Sequence, residues 1–151
     1  MITILNIIDA INDLLLTKYP EYTHYIEEIP QGFERPSFYI QAVTDSWQDA
    51  NRATTIENPS FQVVYFANVD AHNLSSVSER LGVYSAVKNL FKPGYVMTEG
   101  KAIKLAENGF KGEIRDNEVF FTLDFEYFED RPRNEVDYPL AAEVKVNIKE
   151  V

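Results

Sequence analysis

Apolar residues recur at three- and four-residue spacing near the start of the chain. Ile4, Ile7, Ile8, Ile11, Leu14 and Leu15 share one face of a helix predicted over residues 3–18. Thr3 is placed to cap it, and Tyr19-Pro20 ends it, because proline disfavours α geometry in the residue before it. The period then changes to two. Strands are predicted near His24 to Ile29, from Ser37 to about Trp47, and from about Thr54 to Phe66 with a break near Pro59. Gly32 supplies a tight turn between the first two, since glycine takes positive φ without a Cβ penalty. Phe38, Ile40 and Ala42 fall on one face of the second strand, with Tyr39, Gln41 and Val43 on the other. The stretch from Asp45 to Arg52 is polar around one tryptophan and reads as the tip of a long hairpin.

A second helix is predicted over residues 73–91, with Leu74, Val77, Leu81, Tyr84, Val87 and Phe91 as its stripe and Asp70 or Asn73 as its cap. Lys92-Pro93-Gly94 stops it. Tyr95 to Met97 is a weak strand. Ala102 to Ala106 and Gly112 to Arg115 read as one irregular strand, with Asn108-Gly109 marking a turn or bulge. After a turn at Asp116-Asn117, the clearest strand runs from Glu118 to Glu129. Val119, Phe121, Leu123, Phe125 and Tyr127 alternate along it and imply a buried face. The expected fold is therefore α+β: a mostly antiparallel sheet with two amphipathic helices packed on one face. Residues 1–130 form one domain in this reading. Residues 131–151 form a linker followed by an arm or edge strand through Val144, Val146 and Ile148.

Composition narrows the function. With 151 residues, 45% hydrophobic and 19 Phe plus Tyr, the chain can bury a sizeable core. The formal net charge of −10 argues against a protein that grips phosphate backbones, which needs clustered Lys and Arg. There is no cysteine, so disulfides, thiolate nucleophiles and Cys-based zinc sites are excluded. The first residues have no basic n-region, and Asn6, Asp9, Asn12 and Asp13 interrupt the apolar run. The start therefore reads neither as a signal peptide nor as a membrane span, and the expected site of folding is a cytoplasm.

Candidate chemistry is sparse. His24 and His72 are the two histidines, the first in a predicted strand and the second just before a helix, and a metal site would need further carboxylates brought near them by the fold. Asp124 and Glu126 share a predicted strand face, as paired carboxylates or a divalent-ion site would require, or as the solvated face of an amphipathic strand would show. Ser75, Ser76 and Ser78 open a helix without a nearby base or a nucleophile elbow. No phosphate-binding glycine loop occurs among the six glycines. Trp47 either packs in the core or anchors a subunit contact, together with Arg52 at the same hairpin tip.

Three stretches carry a family likeness. They are Glu27-Glu28-Ile29-Pro30-Gln31-Gly32-Phe33 with Pro36-Ser37-Phe38-Tyr39-Ile40, then Asn58-Pro59-Ser60-Phe61-Gln62-Val63-Val64-Tyr65-Phe66, then Val119 to Phe128. At these positions the chain resembles, over residues 1–130, the tail terminator proteins of tailed phages and prophages of Gram-positive bacteria. The resemblance implies a structural virion protein, not an enzyme, with no cofactor. It implies a homo-oligomeric ring, typically a hexamer, at the head-proximal end of the tail. Such a ring stops growth of the tube and meets the tail tube protein on one side and the head-tail connector on the other. DNA passes through the lumen unbound, and no membrane is involved. Glu126, Glu129, Asp130, Glu135 and Asp137 are then candidates for an acidic lumen, interrupted by Arg131 and Arg133. The alternatives are a head-side neck or stopper protein and, in another class, a small cytosolic enzyme or ligand-binding domain using the acidic strand face.

Overall fold

The computed structural model describes residues 1–132, so residues 133–151, including the predicted arm, lie outside it. Helix α1 (Ile4–Lys18) opens with a reciprocal cap. The Asn6 backbone N–H donates to the Thr3 hydroxyl at 3.1 Å, and the Thr3 N–H donates to the Asn6 side chain at 2.9 Å. Ile7, Ile8, Ala10, Ile11 and Leu15 are buried, and Ile4 and Leu14 flank them half-buried.

Nine strands follow among the described residues: β1 (Thr23–Ile26), β2 (Ser37–Thr44), β3 (Trp47–Asp49), β4 (Thr54–Glu57), β5 (Ser60–Phe66), β6 (Tyr95–Thr98), β7 (Lys101–Arg115), β8 (Glu118–Phe125) and β9 (Tyr127–Asp130). Helix α2 (Val77–Phe91) lies between β5 and β6. The main sheet has the order β1-β2-β5-β8-β7-β6, and a second sheet has the order β3-β4-β9. All pairings are antiparallel except β1 with β2. The α+β architecture predicted from the sequence is the architecture observed.

One face of the main sheet carries the core. Phe38 and Ile40 of β2, Phe61, Val63 and Tyr65 of β5, and Val119, Phe121, Leu123 and Phe125 of β8 meet the buried faces of both helices. Cross-strand neighbours share a face. The register Ile40↔Val63↔Phe121 therefore sets one continuous apolar row across three strands. Strand β7 is irregular where expected: its register to β8 shifts between Leu105 and Phe110, around Asn108 at φ 55.

Four local expectations change. Gly32 does turn at φ 68, but the segment from Glu27 to Pro36 carries the chain back along β1, so the flanking strands run parallel. Phe33 against Phe66 (4.4 Å between centroids) and Arg35 Nη1 donating to the Ala67 carbonyl (3.0 Å) hold that return. Second, the long strand from Glu118 divides at Glu126. Its upstream portion pairs with β5 and its downstream portion with β4, because Asn58-Pro59 interrupts the partner and Phe125 N–H turns to the Pro59 carbonyl at 3.0 Å.

Third, α2 starts later than predicted. Asp70 accepts from the His72 and Leu74 N–H groups in a turn, Asn73 sits at φ 61, and Ser76 becomes the cap. Fourth, the buried line of α2 is Val83, Val87 and Phe91, with Tyr84 and Leu90 half-buried. Leu74, Val77 and Leu81, assigned to the core by sequence, are 64%, 60% and 48% exposed. At 3.6 residues per turn, Val77 and Leu81 lie roughly 80–120° around from the Val83–Val87–Phe91 line, and Leu74 precedes the helix.

Candidate interaction surface

The division of the long strand builds the site. Strands β3, β4 and β9 form a small separate sheet. Its register, Trp47↔Glu57↔Tyr127 and Asp49↔Thr55↔Glu129, places these six residues on one face. Gln48, Ile56, Phe128, Thr54 and Asp130 take the opposite face. Over the first face lies an open, mainly apolar groove of about 670 Å³, lined by Trp47, Glu57, Glu129 and Arg131 together with Met1 and Pro132.

Trp47 is 60% exposed. The Arg131 guanidinium stands 5.9 Å from its ring centroid, pairs with the Asp49 carboxylate, and donates from Nε to the Asn51 carbonyl at 3.3 Å. Arg131 therefore fixes the hairpin tip from 80 residues further along the chain, a role no local sequence signal announces. Arg52 is exposed at the tip, where Ala50 and Asn51 both donate to the Thr54 carbonyl at 3.1 Å.

The acidic candidates occupy different surroundings. Glu129 faces the groove with only 16% of its side chain exposed. Its Oε1 accepts from the Ile2 N–H at 3.2 Å and lies 3.8 Å from the N-terminal ammonium, while its Oε2 is buried without a partner among the described residues. Asp130, assigned to the far face by register, is exposed and also lines the edge of the groove, and Glu126 is exposed at the crossover between sheets. Glu135 and Asp137 lie outside the described residues. Burial, and then the charges of Glu129, Glu57 and Asp45, push the Tyr127 hydroxyl up to about 12.

The strand face read as a possible carboxylate pair does not hold two carboxylates together. Asp124 accepts from the Ser60 hydroxyl, and Glu126 has left the strand, its N–H donating to the Lys104 carbonyl at 2.9 Å. His24 is tied at both ring nitrogens, to Asn12 Oδ1 at 2.8 Å and to the Tyr19 carbonyl at 2.9 Å, and packs on Phe38. Among the described residues no group of three or more His, Asp or Glu is placed to hold a metal ion. No helix among them is long and apolar enough to cross a membrane.

The anchor of α2 was also invisible in the sequence. Glu79 Oε1 accepts from the Tyr65 hydroxyl at 2.7 Å and from the Asn68 N–H at 3.2 Å, pinning the start of α2 to the end of β5. With burial, this raises the Tyr65 pKa well above the ordinary tyrosine value. Glu79 therefore points inward and leaves the outer side of α2 without it.

A family model described as phage tail terminator protein matches residues 6–137 of the chain. None of the curated proteins matches it significantly. One solved structure, known only by a sequence identifier, is 12% identical over 87% of this chain and 94% of that one, with a TM-score of 0.43. A likeness at that level adds nothing to the functional reading.

Proposed function

The chain belongs to the phage tail terminator family, and we propose that it works as that family's resemblance implies: as a ring that ends the tail tube. It is a structural protein of the phage tail. In the proposed role, copies of the chain close into a ring, six in number by the same resemblance, on the head-proximal end of the tube. The ring blocks addition of further tube subunits and offers its other side to the head-tail connector.

The match over residues 6–137 carries this reading, because it runs from α1 through the end of the small sheet. The Trp47 face supports it. An exposed tryptophan with an arginine over its ring, beside an open groove on the small sheet, suits a protein that works by contact with other subunits. Charge supports passage of DNA without capture. Six copies at −10 give a ring of roughly −60 before counterions, which repels phosphates wherever the acids face the lumen. Of the lumen candidates, Glu126 and Asp130 are the exposed ones among the described residues, whereas Glu129 is held by the N-terminus.

The direct test is reconstitution. Tube protein is polymerised from purified subunits, with and without this chain, and followed by electron microscopy. The proposal expects growth to stop at one end, with a ring visible there. Tubes that elongate equally at both ends in its presence contradict it.

A further inference from the structure

Two surfaces of this chain lack a partner among the described residues, and they complement one another. The first is the outer line of α2. Val77 and Leu81, with Leu74 just ahead of the helix, are followed at helical spacing by Ser85, Lys88 and the cap residue Lys92, all exposed. No acid lies on that line; Glu79, the acid of the first turn, falls on the other side of the helix, where it bonds Tyr65 and Asn68. The surface is apolar at one end and basic at the other. The second is the Trp47 face of the small sheet. It exposes Trp47 at its edge beside Met1 and Pro132, and its acids, Asp45, Asp49 and Glu57, outnumber Arg131, which stands over the Trp47 ring and pairs with Asp49.

We infer that α2 of one copy seats on the Trp47 face of the next. Val77 and Leu81 pack against Trp47, and Lys88 and Lys92 reach the acids at the rim. Val77 to Lys88 spans about 16 Å at 1.5 Å per residue, longer than the roughly 10 Å width of three strands, so the helix that packs on Trp47 through Val77 and Leu81 carries its lysines out to the rim. A contact joining two different patches of the same chain is heterologous, and it closes into a ring when its rotation divides the circle. This inference rests on the ring reading above and names the surfaces that build the ring. It also accounts for two features that core packing does not explain, an apolar stripe turned away from the core and a solvent-facing tryptophan.

The chain has no cysteine, so engineered pairs report cleanly. Asp49→Cys and Lys88→Cys are made singly, mixed under assembly conditions, in concentrated solution and on tube ends, and oxidised. The inference expects a cross-linked dimer from the mixture and none from either variant alone. Both substitutions in one chain should give a ladder that ends at the ring number. Lys88→Glu with Lys92→Glu should lower assembly at least about tenfold, since like charges would then face each other. Three results overturn the inference. Rings that form without the 49–88 cross-link remove this contact and leave the ring standing. An Asp49→Cys cross-link to Val146→Cys in its place assigns the groove to residues 142–151. Absence of any closed oligomer, in solution and on tube ends, removes the contact and the ring together.

Discussion

Gly112 lies on the core face of β7 opposite Phe121, and the ring of Tyr84 from α2 rests where its side chain would be. A Cβ built there would meet Tyr84 Cε2 at 2.1 Å and Cζ at 3.0 Å. Tyr84 is itself stacked on Phe121, 5.9 Å between centroids and 19° between planes, so its ring cannot yield without losing that pair. At an open strand site, Gly→Ala would stabilise by about 0.5–1 kcal/mol through reduced backbone entropy. Here overpacking costs about 1–3 kcal/mol, and disturbing the aromatic pair about 0.5–1.5 kcal/mol. Gly112→Ala should therefore destabilise by about 1–3 kcal/mol in net. Tyr84→Ala empties the space, at a cost of about 2–3 kcal/mol for a half-buried aromatic ring. In that background Gly112→Ala should turn from harmful to neutral or favourable, a coupling of about 2–3 kcal/mol. Urea unfolding followed by far-UV circular dichroism, on the wild type, both single variants and the double, measures this coupling. Additive effects, or a Gly112→Ala variant as stable as the wild type, would show that Tyr84 does not bind α2 to the sheet at this point.

Three further outcomes follow from the same structure. Trp47→Ala should abolish or weaken assembly while lowering folding stability by no more than about 1–2 kcal/mol, because the ring is largely exposed; a loss of 3 kcal/mol or more in denaturant would make Trp47 a core residue. Alkaline pH should destabilise the fold. The Tyr127 proton leaves the unfolded chain near 10.0 and the folded chain only near 12, so between those values the unfolded state binds fewer protons and stability falls as pH rises. Tyr65, shifted in the same direction, adds to the fall, and replacing both tyrosines by Phe should flatten the pH profile. The purified protein should show no measurable affinity for duplex DNA at physiological salt by fluorescence anisotropy; micromolar binding that weakens steeply with added salt would mean phosphate contacts and an end to the passive-lumen reading.

What was legible in the sequence was whatever depends on one element alone. The α1 stripe, its Thr3 cap, the Asn108-Gly109 irregularity and the buried row from Val119 to Tyr127 follow from local periodicity and turn chemistry, and the structure keeps them. What was not legible depends on pairing between distant segments. Pro59 announced a break in its own strand, but the matching division at Glu126 arises only because Phe125 and Tyr127 pair across that break. The α2 stripe was misplaced for a related reason. Leucine and valine at helical spacing do not say which side the sheet lies on, and Glu79, held by Tyr65, sets that rotation. Of the candidate site, Trp47 and Arg52 were visible as a polar tip around one tryptophan. Arg131 and the N-terminus, which complete the groove, come from the two ends of the described chain.

The central claim is that this chain sets where the tail ends. The most direct measurement is tail length by electron microscopy in a phage or prophage whose copy of this gene has been deleted. The account predicts overgrown tails of variable length and heads without tails, with normal length restored when the chain is supplied in trans. Tails of normal length joined normally to heads would contradict it.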